Sequence, residues 1–391
     1  MNIDSSHQYI IRPEDFGGMI YDLDARKLHR LDEEEYKKLY DAKLSNIEVR
    51  GEENVSVNVG LRAPIKLYID ITTHCNLKCK HCLSSSGTNL ASLTFEEVCG
   101  IIEDIKKMGV FRVKIGGGEP LLHPDFWKIV DAFNEARITV STSTNGVLIS
   151  LDPSLATKFF EKRVKVSVSI DGDKDMHNYI RGQENSYDMA VKAIEILKEA
   201  GVKTVIGSTM FPINLKTVPK VIELAERFNV AVKFKRAKPA GRAINNELVI
   251  TKPTEEYWEV ARMINKCELA RVEGIMDLGT NKKKKVLDQD YYNCGAGTAT
   301  CHIDSWANIS PCIFMGPEFT SGNVRKEKFS EVWVNGNGFK QMRSVAKKGN
   351  PKCAQCSHRT VCCGECRAFA LFVNHDIGSV DPCCPSGHLL G

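Results

Sequence analysis

Apolar and polar positions change rhythm near residue 65. Before it, Tyr9-Ile10-Ile11 and Met19-Ile20-Tyr21 flank a turn around Asp15–Gly18, the pattern of a β-hairpin. Leu31 is followed by Asp32-Glu33-Glu34-Glu35, an acidic first turn that predicts an amphipathic helix through Leu39. Beyond residue 65, apolar runs at 65–72, 110–116, 138–143, 164–170, 203–210 and 230–236 alternate with helical stretches. Those stretches lie near 94–108, 124–136, 153–162, 186–200, 216–228 and 254–268. Strands that alternate with helices predict β-α units and a parallel sheet. Six units are too few for a closed eight-stranded barrel. The expected fold is α/β, a partial (β/α)6 barrel with its active site at the carboxyl ends of the strands.

The same pass divides the chain into a small β-α module at 1–64, the barrel at 65–250, a bridging helix and linker at 251–290, and a cysteine-rich domain at 291–391. Lys282–Lys285 in the linker reads as a solvated run. No stretch of about 18 apolar residues occurs, so no membrane partner is expected. Met1–Ile10 lacks the apolar segment of a secretory signal, which makes the cytoplasm the expected location. Formal charge is only +4 over 391 residues, so nucleic acid is not an expected partner. The first 64 residues carry nine Lys/Arg against thirteen Asp/Glu, a net of −4, which leaves +8 on the remainder.

Cysteine changes the picture most. The chain has fifteen, ten of them in the last 101 residues. Disulfides rarely persist in a reducing compartment, so a clustered, odd set points to metal or catalysis. The first strand runs into Thr73-His74-Cys75-Asn76-Leu77-Lys78-Cys79-Lys80-His81-Cys82. Spaced this way, Cys75, Cys79 and Cys82 place three thiolates on one loop, enough for three corners of a cubane with one iron left open. A zinc loop is the alternative, with only His74 or His81 nearby as fourth ligand. The second strand ends in Gly116-Gly117-Gly118-Glu119-Pro120, where glycines admit a close ligand and Glu119 offers an acceptor for an ammonium. The third ends in Thr144-Asn145-Gly146, and the fourth in Ser167-Val168-Ser169-Ile170-Asp171-Gly172, followed by His177 and Arg181. Turn and cap chemistry is the alternative reading of each polar residue.

On the cysteine loop and the Gly-Gly-Glu segment, the chain resembles the radical S-adenosylmethionine (SAM) enzymes, whose fold is a partial (β/α)6 barrel. The resemblance implies that Cys75, Cys79 and Cys82 hold a 4Fe–4S cluster whose open iron binds SAM, and that a 5′-deoxyadenosyl radical is generated there. Gly117, Gly118 and Glu119 would hold the SAM amino group. Ser169 and Arg181 would meet its carboxylate, with Asn145 in the same layer. His81 stands where the family usually has an aromatic residue beside the adenine.

The tail, with Cys294, Cys301, Cys312, Cys353, Cys356, Cys362 and Cys366 followed by Asp381-Pro382-Cys383-Cys384, is similar to the SPASM domain of peptide- and protein-modifying radical SAM enzymes. That resemblance implies two auxiliary 4Fe–4S clusters. One takes Cys294, Cys312 and Cys366 with Cys301 as fourth ligand. The other takes Cys353, Cys356, Cys362 and Cys384, the last preferred over Cys383 because the family shows Asp-Pro-x-Cys. Ala307 occupies a usual glycine position, which is harmless if the turn needs no positive φ. Cys99 and Cys267, on helical stretches, read as core thiols.

Residues 81–87, 115–120, 124–127 and 294–297 are similar to the mycofactocin type of radical SAM peptide maturase, and the resemblance covers about 65–391. It implies oxidative modification of a ribosomally made peptide, by decarboxylation or cross-link formation. The implied partners are a small precursor peptide and an external electron donor of flavodoxin or ferredoxin type. Tetrapyrrole side-chain modification and sulfatase-type maturation are the enzyme alternatives. Sulfatase maturases usually carry an acidic residue after the auxiliary cysteine, where this chain has Ile313. A zinc-binding interaction module is the alternative outside enzymes. The hairpin and helix of 1–64 are similar to part of the winged-helix element that binds leader peptides by strand addition. Two readings stand: a truncated copy with Tyr9–Ile11 as an exposed edge strand, or a cap on the barrel.

Overall fold

The computed structural model describes residues 3–51, 57, 60–272, 294–356 and 364–384. Lys282–Lys285 and Cys362 lie outside the described residues.

The N-terminal strands are β1 (Tyr9–Glu14), β2 (Gly17–Asp22), β3 (Lys27–Leu31) and β4 (Ile47–Val49), in the order β3-β2-β1-β4. β1 and β2 form the expected hairpin, with Tyr9 opposite Asp22 and Glu14 opposite Gly17. The helix Glu33–Ala42 starts at a capping box in which Asp32 accepts from the Glu35 N–H and Glu35 from the Asp32 N–H.

The expected exposed edge at Tyr9–Ile11 is overturned. β4 returns parallel to β1, Ile11 opposite Val49, so β1 lies inside the sheet and Tyr9, Ile10 and Ile11 are buried. Four strands were needed where the sequence showed two, because β3 is short and largely polar and β4 has only three residues. Among the described residues, the edges of this sheet are β3 and β4.

The module is packed onto the rest of the chain. Ile10, Met19, Tyr21 and Leu28 share one core with Leu61, Phe111 and Ala299. Arg12, fully buried, donates to Glu14 and to the carbonyls of Pro64 (3.2 Å) and Gly109 (2.8 Å).

The barrel strands follow the predicted runs closely. They are β5 (Lys66–Asp70), β6 (Arg112–Gly116), β7 (Thr139–Thr144), β8 (Lys165–Ser169), β9 (Thr204–Met210) and β10 (Ala231–Arg236), each parallel to the next. Alternation puts Leu67, Ile69, Val113, Ile115, Val140, Val166 and Val168 into the core under the helices, and Tyr68, Lys114, Ser141 and Ser167 into the interior cavity. Helices cover the outside. Phe95–Met108 shows why they stop where they do, with a Thr94/Glu97 capping box at its start and Gly109 at φ +78° at its end.

The sheet extends past six strands at both edges. β11 (Ala270–Val272) pairs parallel with β10, and β12 (Thr300–Ile303) pairs parallel with β5. β13 (Asn308–Ser310) and β14 (Gly322–Asn323) then continue antiparallel. The cysteine-rich segment thus grows out of the barrel sheet itself, and Trp333 and Phe339 join the barrel core. No described helix is long and apolar enough to cross a membrane.

Ala307 turns β12 into β13 with φ +70°, so the turn does take the left-handed conformation that favours glycine. Asp304 holds it by accepting from the N–H groups of Trp306 and Asn308, both at 2.9 Å. Cys267 packs against the core. Cys99 is only half-buried on its helix and stands outside the core, contrary to expectation.

Candidate active site

The loop 73–82 leaves the carboxyl end of β5 and is clamped from two sides. The Lys80 N–H donates to Ile180 O at 2.8 Å, and the helix Lys174–Arg181 ends at Gly182, whose added Cβ would lie 2.9 Å from Lys78 O. On the other side the Arg242 N–H donates to Cys82 O (3.0 Å), while its guanidinium donates to Cys79 O (2.8 Å) and Ser86 O (3.1 Å). Gly241, at φ +57°, makes this approach possible, because a Cβ there would sit 2.2 Å from the carbonyl oxygens of Cys82 and Leu83.

Clamped so, the three thiols converge with Leu77 and Val147. Each sulfur accepts a hydrogen bond: Cys75 from the Leu77 N–H (3.4 Å), Cys82 from the Ser86 N–H (3.3 Å), and Cys79 from Arg181 Nη1 (3.9 Å). Burial pushes the Cys75 thiol up to about 12 and raises Cys79. Bare thiols are disfavoured as anions here, so a cationic metal cluster is what would make three thiolates stable.

These thiols open into a cavity of about 960 Å³ that runs through the barrel interior, from Lys66, Arg112 and Lys165 at the amino ends of the strands to the cysteine loop at their carboxyl ends. Gly117, Gly118, Asn145, Ser169 and Arg181 line it. Gly117 at φ +131° and Gly118 lie against the loop backbone, where a Cβ on either would fall 2.2 Å from Thr72 O or His74 O.

Glu119 is placed beneath the lining rather than on it. Only 1% exposed, it accepts from the Asn145 N–H (2.8 Å) and the Leu121 N–H (3.4 Å), and burial raises its carboxyl to about 7. Asn145 in turn donates to Asn76 Oδ1 at 2.7 Å, tying the end of β7 to the cysteine loop.

Arg181 is paired with Asp171, Nη2 to Oδ2 at 2.6 Å. Burial works against both charges. The pair outweighs it, holding Asp171 low and Arg181 high. His81 lies 3.8 Å from the same carboxylate and 5.0 Å from the Phe211 ring centroid; burial lowers it to about 4, so it is neutral near pH 7.

Three buried nitrogens around the loop have no partner among the described residues: His81 Nδ1, Arg181 Nε and Arg242 Nη2. Unsatisfied polar atoms beside a cavity are costly unless a polar ligand meets them. The donor set therefore fits SAM and an iron–sulfur cluster.

Sequence reasoning passed over Asp171, Phe211 and Arg242. Asp171 had a signal, since Asp-Gly directly follows the fourth strand. Phe211 and Arg242 had none, because only the fold brings them to the loop.

The tail contributes two further groups of thiols. Cys294, Cys312 and Cys366 influence one another, and burial pushes Cys312 up to about 12. Cys301 stands apart from this trio. Its neighbours on β12 and β5 are core residues, and the influences on it are burial and the Arg343 guanidinium. In the second group, Cys353 is influenced first by burial and then by Cys384 and Cys356. Cys383 belongs to neither group: it is 1% exposed and donates to Ile250 O at 3.6 Å.

Residues 69–225 match the family model described as the radical SAM superfamily, and residues 294–357 match SPASM, an iron–sulfur cluster-binding domain. Mycofactocin maturase MftC of Mycobacterium tuberculosis is 33% identical over 340 residues, covering 84% of this chain and 85% of that protein. AdoMet-dependent heme synthase of Methanosarcina barkeri is 29% identical over 347 residues, covering 82% and 96%. The crystal structure of Streptococcus suis SuiB bound to precursor peptide SuiA shares the fold. Its TM-score is 0.72 at 20% identity, over 97% of this chain and 98% of that one.

Proposed function

Because the chain belongs to the radical SAM superfamily and carries a SPASM domain, we propose that it oxidatively modifies a ribosomally made precursor peptide. It is an enzyme whose cofactors are SAM and 4Fe–4S clusters, and when bound they supply a 5′-deoxyadenosyl radical.

The single observation that carries the peptide reading is the identity to mycofactocin maturase along most of both chains, above that to the heme synthases. In this reading Cys75, Cys79 and Cys82 hold the SAM cluster. Gly117, Gly118, Glu119 and Asn145 serve the SAM amino group, and Ser169 and Arg181 its carboxylate. Asp171 keeps Arg181 charged and fixed, and neutral His81 offers a flat face against Phe211. The clamp of Gly182 and Arg242 holds the loop still and keeps water from its rear.

Cys294, Cys312 and Cys366 serve one auxiliary cluster, with Cys301 proposed as fourth ligand only if its strand yields. Cys353, Cys356 and Cys384, with Cys362, serve the other. An external flavodoxin or ferredoxin supplies the reducing electron. In the N-terminal module β1 is internal, so peptide addition falls to an edge, and β3, five residues against three in β4, is the longer of the two.

The test is anaerobic reaction with SAM, reductant and the small peptide encoded beside the gene, followed by mass spectrometry. A defined mass change on the peptide supports the reading. Consumption of an iron tetrapyrrole with the peptide untouched would replace it with the heme-synthase reading.

A further inference from the structure

Lys238 follows β10 and lines the same cavity as Cys79 and Cys82 on one side and Cys294, Cys312 and Cys366 on the other. Its Nζ lies 3.5 Å from Cys366 Sγ. The same ammonium stands 5.0 Å from the Phe369 ring centroid and 5.5 Å from that of Phe314. Its contacts among the described residues are thus a sulfur and two aromatic faces.

The position is built from both ends. Two residues upstream, Arg236 is locked to Asp381, and Asp381 Oδ2, which takes Arg236 Nη2, also accepts the Cys366 N–H at 3.2 Å. One ion pair therefore fixes both the cation and the sulfur it addresses.

We propose that Lys238 sets the reduction potential of the auxiliary cluster held by Cys294, Cys312 and Cys366, raising it so that the reduced state is favoured. This rests on the assignment of those cysteines as ligands. The physical ground is charge: a reduced cluster carries one more negative charge than the oxidised one. A cation hydrogen-bonded to a ligand sulfur stabilises the reduced form more. The aromatic faces keep water from screening that interaction.

The test uses the full chain with Cys75, Cys79 and Cys82 changed to Ala, which leaves only auxiliary iron. Electron paramagnetic resonance follows a potentiometric titration, and the relevant signal is the one that Cys366→Ala removes. Lys238→Met should lower its midpoint by an amount worth about tenfold in the reduced-to-oxidised ratio, about 59 mV for one electron, at unchanged iron content. Lys238→Arg should restore most of the shift. An unchanged midpoint in Lys238→Met overturns the proposal. If that variant sheds iron, Lys238→Gln is read in its place, and loss of iron there too would make Lys238 a structural support and overturn the proposal. The ligand assignment is tested separately: Cys366→Ala with undiminished iron sinks that assignment, whatever the Lys238 variants show.

Discussion

Arg236 and Asp381 form a two-pronged buried ion pair, Nη1 to Oδ1 at 3.0 Å and Nη2 to Oδ2 at 2.5 Å, with both side chains no more than 1% exposed. It joins the last of the six predicted barrel strands to the Asp-Pro-x-Cys segment. Asp381 also accepts the N–H groups of Cys366 and Cys383, so the barrel and the cysteine-rich tail are positioned by one carboxylate. Asp381→Asn would leave Arg236 charged and unpaired in the core, a loss of about 3–5 kcal/mol. Denaturant unfolding should show it, together with loss of auxiliary iron. A variant with parental stability and iron would mean the pair is dispensable.

Cluster stoichiometry gives a second prediction. Three cubanes correspond to about twelve irons per chain, and changing Cys75, Cys79 and Cys82 to Ala should leave about eight and abolish SAM cleavage. Iron analysis and product chromatography check this. SAM cleavage surviving in the triple variant would contradict the assignment of the loop.

Glu119 ties SAM binding to pH. Its folded-state carboxyl is raised by burial from 4.5 to about 7, so in the SAM-free protein ionisation costs stability as pH rises through that window. Glu119→Gln should therefore gain stability relative to the parent between pH 5 and pH 8. The same variant should bind SAM roughly ten- to a hundredfold more weakly at pH 8, having lost a charge-assisted bond of roughly 1.5–3 kcal/mol. A stability difference that is flat in pH, or unchanged SAM affinity, would reduce Glu119 to a turn residue.

The N-terminal module yields a fourth prediction. Arg12 and the shared core make deletion of residues 1–50 expose Phe111 and Leu61, so the truncated chain should aggregate or lose iron. Peptide recognition is better read on the intact chain. Hydrogen exchange of the amides at 27–31 should slow when the precursor binds, and protection elsewhere with none at β3 would remove that edge from consideration.

Much of this was legible in the sequence because parallel strands buried under helices write themselves as apolar runs: five of the six barrel strands fall inside the predicted ranges, and β7 overruns its range by one residue, Thr144. The largely polar β3 and the three-residue β4 left no such run, which is why β1 read as an edge. Spacing alone also could not separate Cys301 from its neighbours. On β12 the alternation turns its thiol toward Leu67 and the core. Ala307 hid its positive φ, which is a property of the turn and not of the residue. The Asp171–Arg181 and Lys238–Cys366 pairs bring together residues from separate segments or elements, and only folding puts them in contact.

The most direct test of peptide modification by a radical route is transfer of label from substrate to cofactor. A precursor peptide deuterated at its carbon-bound positions is incubated anaerobically with SAM, reductant and the enzyme, and the 5′-deoxyadenosine formed is examined by mass spectrometry. Deuterium is expected in 5′-deoxyadenosine together with a defined mass change on the peptide. Unlabelled 5′-deoxyadenosine alongside an unaltered peptide, from an enzyme with its full complement of iron, would contradict it.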